Sequence, residues 1–378
     1  MRVCFLSQQI GDIRTGVGTY ANNLIPALAG RGVETTVIGR GEAPTWPGVS
    51  YHPVSWPTHD PTPEGWLSFA WGAARRLRRL GFEGFDLVHC LDARESLFVR
   101  RRHGVPVVGT IHDCYLAQAA GPRYWKARYS DWLPRYGYHR LARLLERRAL
   151  RRLDAIIANS DYVRQAVVTG YGLGRERLRT IHYGFEFPWG APAGRAPGRP
   201  EVLFVGANLE RKGLPGLLRA LAALRPAVPG LRLHVVGDHP VRPRMEALAR
   251  ELGIASLVVF HGFLPHEALA PLYGTARVLA LPSEVEGFGI TLLEAMHSGL
   301  PVIASTRGGS AEVVREGWNG YLVEPGDVPT LARRLRALLT DDRLWAELGD
   351  RGRETAARFA LPRMVEETLA LYRGVGSP

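Results

Sequence analysis

The sequence has few cysteines and no long apolar run. Three cysteines occur in 378 residues, which is too few for a disulfide framework or a zinc cluster. No segment approaches the ~18 uninterrupted apolar residues of a membrane-spanning helix. The first residues, MRVCFLSQQIGDIR, lack a basic stretch followed by a long apolar one. We therefore expect no secretory signal and a cytoplasmic protein, with contact to the inner face of the membrane left open.

Lysine is almost absent. Lys126 and Lys212 are the two lysines among 48 lysines and arginines, which face 36 acidic residues and give a net charge of +12. The arginine excess is typical of a GC-rich genome and requires no ligand. The positive balance still favours an anionic partner, such as a phosphate-bearing small molecule, an acidic membrane surface or nucleic acid.

Strand and helix patterns alternate along the whole chain and predict an α/β fold with parallel sheets. The length exceeds the usual limit of about 250–300 residues for one core, so two domains are expected. The segment 186–200 (EFPWGAPAGRAPGRP) is too rich in proline and glycine for a helix or a central strand. The expected parts are a domain at 1–187, a linker at 188–200, a domain at 201–355 and a C-terminal segment at 356–378, for which packing back on the first domain is left open.

Both predicted domains open alike, with RVCFLSQ at 2–8 and EVLFVGA at 201–207. Each is a buried strand that leads into a glycine-containing loop and a helix. Two doubly wound, Rossmann-like halves facing each other would place a ligand cleft at the carboxyl ends of both sheets. Residues 41–65 are rich in proline, glycine and tryptophan and are expected to form an irregular loop.

Residues 15–21 (TGVGTYA) place G-x-G-x-x-A at a predicted helix start. Such a loop lets an anion approach free backbone N–H groups at the positive end of a helix. A dinucleotide fingerprint normally follows its strand at once, whereas eight residues intervene here. A plain structural turn and a loop against a diphosphate or sugar both stay open.

Residues 206–213 (GANLERKG) follow the first strand of the second half. Arg211 and Lys212 are adjacent cations at the mouth of the sheet, suited to neutralise a leaving diphosphate. The alternative is a solvated loop with a chance Arg-Lys pair.

Residues 282–296 (PSEVEGFGITLLEAM) combine a strand end, a glycine loop and a helix start near Ile290. Backbone N–H groups at Phe288, Gly289 and Ile290 would face an anion. Glu286 precedes the helix and Glu294 lies one turn inside it, so the two carboxylates could accept hydrogen bonds from hydroxyls of one nucleotide sugar. The alternative is an ordinary helix start with acids favoured by its dipole.

These motifs resemble the family 4 retaining glycosyltransferases of the GT-B fold. The resemblance rests on E-x7-E around G-F-G, on 308–312 (GGSAE) and on 319–327 (NGYLVEPGD). Weaker matches in the first half are 16–18 (GVG), 110–113 (TIHD) and 157–160 (IANS). The second half is highly specific and the first half only moderately so, as expected where acceptors vary.

The resemblance implies roles in donor binding. Glu286 would hold hydroxyls of the donor sugar and Glu294 the ribose. Arg211 and Lys212 would hold the diphosphate together with backbone N–H groups of four residues, Phe288, Gly289, Ile290 and Thr291. Backbone contacts around Gly262 and Phe263 would select the base.

Two further roles fall in the first half. Gly16 would approach the phosphate and the acceptor, and His112 would lie near the anomeric carbon, making a polar contact with the sugar and stabilising positive charge through its carbonyl. One position departs from the pattern, because Ala207 stands where many members have arginine. A branch of the family carries Arg-Lys later in this loop, as Arg211-Lys212 does here.

The basic and aromatic tract at 124–152 has several interpretations. Leu141, Leu144, Leu145 and Ala149 have helical spacing and predict a core stripe, which favours a structural or acceptor-lining helix. A membrane-surface helix stays open, supported by arginines at 75–79 and 100–102, whereas a nucleic-acid face is disfavoured.

We interpret the chain as a transferase of a hexosyl group from a UDP- or GDP-linked sugar to a hydroxyl of a glycan, lipid-linked or small acceptor. The alternatives within the same fold are a sugar-nucleotide epimerase and a phosphorylase. The alternative outside enzymes is a basic protein that binds a membrane surface or nucleic acid. No D-x-D triplet occurs, so no metal site is expected, and no cofactor or nucleic-acid partner is expected either. No carboxylate is an obvious nucleophile, which favours a front-face displacement through an oxocarbenium-like state, with retention at the anomeric carbon.

The missing D-x-D predicts that the transfer survives EDTA, since Arg211 and Lys212 supply the positive charge that a cation would. Product formation is measured before and after chelation. Complete loss of product that manganese or magnesium restores would contradict the prediction.

Overall fold

The computed structural model describes residues 1–11, 15–54, 65–100, 104–113, 135–187, 189 and 199–376. Most of the predicted linker, Arg101 and Arg102, Cys114 and the first half of the 124–152 tract lie outside the described residues. The chain divides into unit 1, Met1–Glu186 with Ala360–Pro378, and unit 2, Phe187–Phe359.

Unit 1 is built on a seven-stranded parallel sheet. Its central strands are short apolar runs, as expected where helices cover both faces of a sheet. The spatial order is β3-β2-β1-β4-β5-β6-β7, with β1 (Arg2–Ser7), β2 (Glu34–Gly39), β3 (Val49–Pro53), β4 (Leu87–Cys90), β5 (Val107–Ile111), β6 (Ala155–Ala158) and β7 (Leu178–Thr180). Its first helices are α1 (Gly16–Ala29), α2 (Trp66–Leu80), α3 (Arg135–Leu150) and α4 (Asp161–Tyr171).

Unit 2 repeats the plan with a six-stranded parallel sheet of order β10-β9-β8-β11-β12-β13. The strands are β8 (Glu201–Val205), β9 (Arg232–Val236), β10 (Val258–Gly262), β11 (Val278–Leu281), β12 (Val302–Ser305) and β13 (Gly320–Val323). The helices are α5 (Leu214–Leu224), α6 (Arg242–Glu251), α7 (His266–Thr275), α8 (Ile290–His297), α9 (Ser310–Val313), α10 (Val328–Thr340) and α11 (Asp342–Ala357).

The chain then returns to unit 1 as α12 (Leu361–Gly376), which packs on α1. Tyr372 of this helix is buried, and its hydroxyl lies 2.6 Å from Nδ1 of His89 in β4. The last helix therefore completes the core of the first unit.

The strand order reverses next to β1 in unit 1 and next to β8 in unit 2. Ligands of doubly wound sheets bind outside the carboxyl ends of the strands at such a switch point. In unit 2 the loops after the neighbouring strands β8 and β11 are residues 206–213 and 282–289. The topology thus brings together the two motifs that the sequence singled out.

The expectation of an irregular loop over 41–65 is wrong for Val49–Pro53, which forms β3. This strand pairs only with β2 and lies at the sheet edge, where its residues stay half-buried or exposed. An edge strand needs no continuous apolar run, so the sequence gives no strong signal for it.

The predicted core stripe of α3 is also wrong in part. Ala149 is buried and Leu145 packs beside it, but Leu141 and Leu144 are 53% and 61% exposed. Other elements pack on the helix near its C-terminal end, where Ala149 contacts Leu97 and Trp66. Periodicity alone does not show how far along the helix this packing extends.

Candidate functional site

The glycine loop that precedes α8 is the centre of the site in unit 2. Gly289 caps the helix with φ of +103°, which side-chain-bearing residues rarely adopt. Leu292 and Leu293 donate their N–H groups to the carbonyl of Gly289, so the helix ladder begins there. The N–H groups of the first turn, including Ile290 and Thr291, have no acceptor within the helix and form an anion-binding end.

A second glycine pair holds this loop in place. The N–H of Gly309 donates to the carbonyl of Glu286 at 2.8 Å, and Gly308 forms a β-bridge with Glu286. A Cβ atom on Gly309 would lie 2.2 Å from the carbonyl oxygen of Gly287, so the approach of the two backbones requires glycine. The GGSAE motif therefore supports the carboxylate loop.

Lys212, which is half-buried, forms an ion pair with the buried carboxylate of Glu286. The hydroxyl of Ser283 lies 3.5 Å from the same carboxylate. Arg211 binds the backbone of the residue before Glu286, with Nη1 donating to the carbonyl of Val285 at 3.1 Å. The sequence places these two cations and Glu286 in separate loops, and the fold brings them into contact.

The charge state of Glu286 follows from these contacts. Burial raises the pKa of its carboxyl, but the charges of Lys212 and Arg211 and the bonds from Lys212 and Ser283 outweigh burial, so that the pKa lies below its usual value. Glu286 is an anion at neutral pH and an acceptor of hydrogen bonds.

Glu294 has a different environment. It is buried on α8, and the hydroxyl of Tyr273 donates to its Oε2 at 2.7 Å. Burial raises the pKa of Glu294, which the Tyr273 bond and nearby His266 only partly offset.

Gly262 is the last residue of β10, and Phe263 follows it at the carboxyl end of the sheet. Gly262 has φ of +72°, and its carbonyl accepts from the N–H of Gly237 at 2.7 Å. Phe263 is 45% exposed. Ala207, the departure from the family pattern, is also exposed.

Gly16 begins α1 in unit 1. Thr15 caps the helix, its Oγ1 accepting from the N–H of Gly18 at 3.0 Å and donating to Gln9 at 2.6 Å. Gly16 is exposed at this positive end. Residues 12–14 lie outside the described part of the chain.

His112 follows β5 and is held through both ring nitrogens. Nε2 donates to the carbonyl of Leu91, so Nδ1 accepts from the hydroxyl of Tyr183. Burial lowers the pKa of His112 to about 4, which keeps the ring neutral. A ligand would therefore meet its carbonyl rather than a ring nitrogen, and Asn159 already donates to that carbonyl at 2.8 Å.

Several of these supporting residues carry no recognisable sequence signal. Tyr183 and Tyr273 are single tyrosines at distant positions, and only the fold brings each hydroxyl to its partner. Asn159 lies in the IANS segment at 157–160, which indicates the end of a strand but not the residue that Asn159 contacts.

Within the described residues no group of three or more His, Cys, Asp or Glu side chains could hold a metal ion. None of the helices described is long and apolar enough to cross a membrane.

Two family models match the chain. "Glycosyltransferase Family 4" matches residues 14–187, and "Glycosyl transferases group 1" matches residues 190–355. The MMP alpha-(1->4)-mannosyltransferase of Mycolicibacterium hassiacum is 31% identical over 331 residues, which span 84% of this chain and 77% of that protein.

Solved structures are similar over nearly the whole chain. Sucrose-phosphate synthase from Thermosynechococcus elongatus has a TM-score of 0.84 at 24% identity and covers 99% of this chain and 98% of its own. HepE from Anabaena in complex with UDP-glucose has a TM-score of 0.74 at 22% identity and covers 98% and 100%. The fold is GT-B, and the chain belongs to the family 4 glycosyltransferases. The sequence-based assignment of family, fold and enzyme class is confirmed.

The ion pair predicts how Glu286 titrates. In Lys212→Gln the carboxyl stays buried but loses its nearest cation, so the pKa of Glu286 should rise above the wild-type value. Carbon-13 NMR titration of the glutamate carboxyls measures it, with Lys212→Arg as the variant that keeps the pKa low.

The ion pair also makes the free energy of unfolding depend on pH. The folded-state pKa of Glu286 lies below that of the unfolded chain, so the pair stabilises the fold above the unfolded pKa, and this contribution is lost as pH falls through the folded pKa. Lys212→Gln should remove that pH dependence. An identical pKa in wild type and Lys212→Gln would contradict the account.

Proposed function

We propose that the enzyme transfers a hexosyl group from a nucleotide diphosphate sugar to an acceptor hydroxyl, with retention at the anomeric carbon and without a metal ion. The observation that carries the proposal is the Lys212–Glu286 pair beside the N-terminus of α8. It combines a fixed anion for sugar hydroxyls with cations and N–H groups for a diphosphate.

Each part of the donor has a matching group in unit 2. Glu294 accepts a hydrogen bond from the ribose through the oxygen that Tyr273 does not use. The diphosphate lies against the first turn of α8, with Arg211 and Lys212 neutralising its charge. Glu286 accepts from sugar hydroxyls, and the three N–H donors of the Lys212 ammonium allow it to contact carboxylate and phosphate together.

The transfer breaks the bond between the anomeric carbon and the β-phosphate oxygen, whose electron pair stays on the phosphate. The acceptor oxygen attacks the same face of the oxocarbenium-like carbon, and its proton passes to the leaving phosphate oxygen. Lys212 and Arg211 stabilise the negative charge that develops there. His112 as a contact to the sugar stays a prediction.

The donor is proposed to carry UDP or GDP. HepE, which shares the fold of this chain and binds UDP-glucose in its solved complex, supports a UDP-linked sugar. The acceptor is a hydroxyl of a glycan, a lipid-linked sugar or a small molecule. Release of UDP from UDP-glucose, or of GDP from GDP-mannose, that depends on an added acceptor distinguishes transfer from epimerisation.

The two glutamates should separate binding from turnover. Glu294→Ala should weaken UDP or GDP binding by about ten- to a hundredfold, the effect of losing a hydrogen bond to a charged acceptor. Glu286→Ala should mainly lower kcat. Isothermal titration and steady-state kinetics measure both effects.

The matched control is Glu324→Ala, which removes an exposed carboxylate from the same unit. It should leave both quantities unchanged. Wild-type nucleotide affinity in Glu294→Ala would refute the ribose assignment.

We also propose that unit 1 contacts an anionic membrane surface. Both α2 and α3 pack against the 3-10 turn at 93–98. The α2–α3 surface is defined by exposed side chains on these two helices, on the turn and on Arg100, which follows the turn. Its apolar members Trp71, Phe98, Leu141 and Leu144 are 39%, 37%, 53% and 61% exposed. Its exposed cations are Arg75, Arg78, Arg79, Arg100 and Arg148.

Spacing and charge support this surface. Trp71, Arg75, Arg78 and Arg79 follow helical spacing on one face of α2, and Arg75 lies over the ring of Trp71 at 4.5 Å. A cavity of about 260 Å³ between Trp71 and Phe98 is also lined by two arginines. Apolar side chains for the interface and arginines for lipid phosphates are the two signals that peripheral binding needs.

Vesicle flotation tests the membrane contact. The full chain should float with phosphatidylglycerol vesicles, but not with phosphatidylcholine vesicles, and high salt should weaken binding. Arg75→Glu/Arg79→Glu and Leu141→Ser/Leu144→Ser should each reduce flotation. Arg336→Glu/Arg343→Glu, an equal charge change at exposed positions of unit 2, should float normally. Equal flotation of all variants, or none by the wild type, would refute the contact.

A further inference from the structure

Phe187 and Trp189, the described residues at the entry to unit 2, contact the helices that carry the proposed ribose site. Phe187 is the first residue of unit 2, and its ring stacks on His297 of α8 with centroids 4.2 Å apart. Trp189 follows and stacks on Tyr273 of α7 with centroids 5.6 Å apart and planes 22° apart.

Trp189 is also fixed by hydrogen bonds at two ends. Its indole N–H donates to the hydroxyl of Ser298 at 3.0 Å, and its carbonyl accepts from Nε2 of His297 at 3.0 Å. Stacking and the indole hydrogen bond hold the ring, and the bond to the carbonyl holds the backbone beside it. Trp189 therefore forms a defined wall against Tyr273.

Tyr273 in turn restrains Glu294. The phenol is buried, and its hydroxyl donates to Oε2 of Glu294 at 2.7 Å. A carboxylate has two acceptor oxygens, so a bond to Oε2 restrains the group and leaves Oε1 as the acceptor for a ligand. The contacts run from Trp189 through the Tyr273 ring to Glu294.

We infer that Tyr273 and Trp189 are positioning residues for Glu294, so that these two rings set how well the enzyme recognises the ribose hydroxyls of its nucleotide. The inference rests on the proposed function, in which Glu294 binds the ribose. Neither side chain touches the nucleotide in this account. Both act through the orientation of one carboxylate, which is a form of preorganisation.

The experiment compares nucleotides with and without ribose hydroxyls. Binding of UDP and GDP and of their 2′,3′-dideoxy analogues is measured by isothermal titration for the wild type, Tyr273→Phe and Trp189→Leu. The wild type should prefer the ribose form by about tenfold or more. Both variants should lose most of that preference while binding the dideoxy form as the wild type does.

Tyr321→Phe is the matched control, since it changes a buried tyrosine of the same unit on β13. It should keep the full preference. The inference alone would be overturned if the wild type prefers the ribose form and both Tyr273→Phe and Trp189→Leu keep that preference. It would also be overturned if the variants bind both nucleotide forms more weakly by the same factor. If the wild type binds the ribose and dideoxy forms equally, the ribose role of Glu294 is contradicted, and the inference fails with it.

Discussion

The ion pair between Lys212 and Glu286 is the contact on which the site in unit 2 depends. It joins the loops that follow two neighbouring strands, β8 and β11, at the point where the strand order reverses. Removing Lys212 would leave the buried carboxylate of Glu286 without its nearest cation, which is costly. The close backbone approach of Gly308 and Gly309 holds the Glu286 loop from the other side.

The polar groups after β5 in unit 1 are held differently from those after β8 and β11 in unit 2. In unit 2 ionised groups face each other, and the pKa of Glu286 is held below its usual value. In unit 1 the residues after β5 form a neutral network, in which burial lowers the pKa of His112 to about 4 and Tyr183 and Asn159 fix its ring and carbonyl.

Much of this organisation is predictable from the sequence because the signals are local. Buried runs such as Val278–Leu281 give the strands, and the spacing of Glu286, Gly289 and Glu294 gives the glycine loop and helix. The rest depends on contacts between distant residues. The Tyr273–Glu294 bond leaves no trace in spacing, and neither does the depth to which α3 is covered.

The most direct test of the central claim is the rate of Lys212→Ala at saturating donor. If Lys212 stabilises the leaving diphosphate, its contribution grows in the transition state, and kcat should fall by about two to three orders of magnitude. Lys212→Arg should recover only part of the rate, because a planar guanidinium does not reproduce the point contact of an ammonium. Wild-type kcat in Lys212→Ala would contradict the account and leave the pair with a structural role.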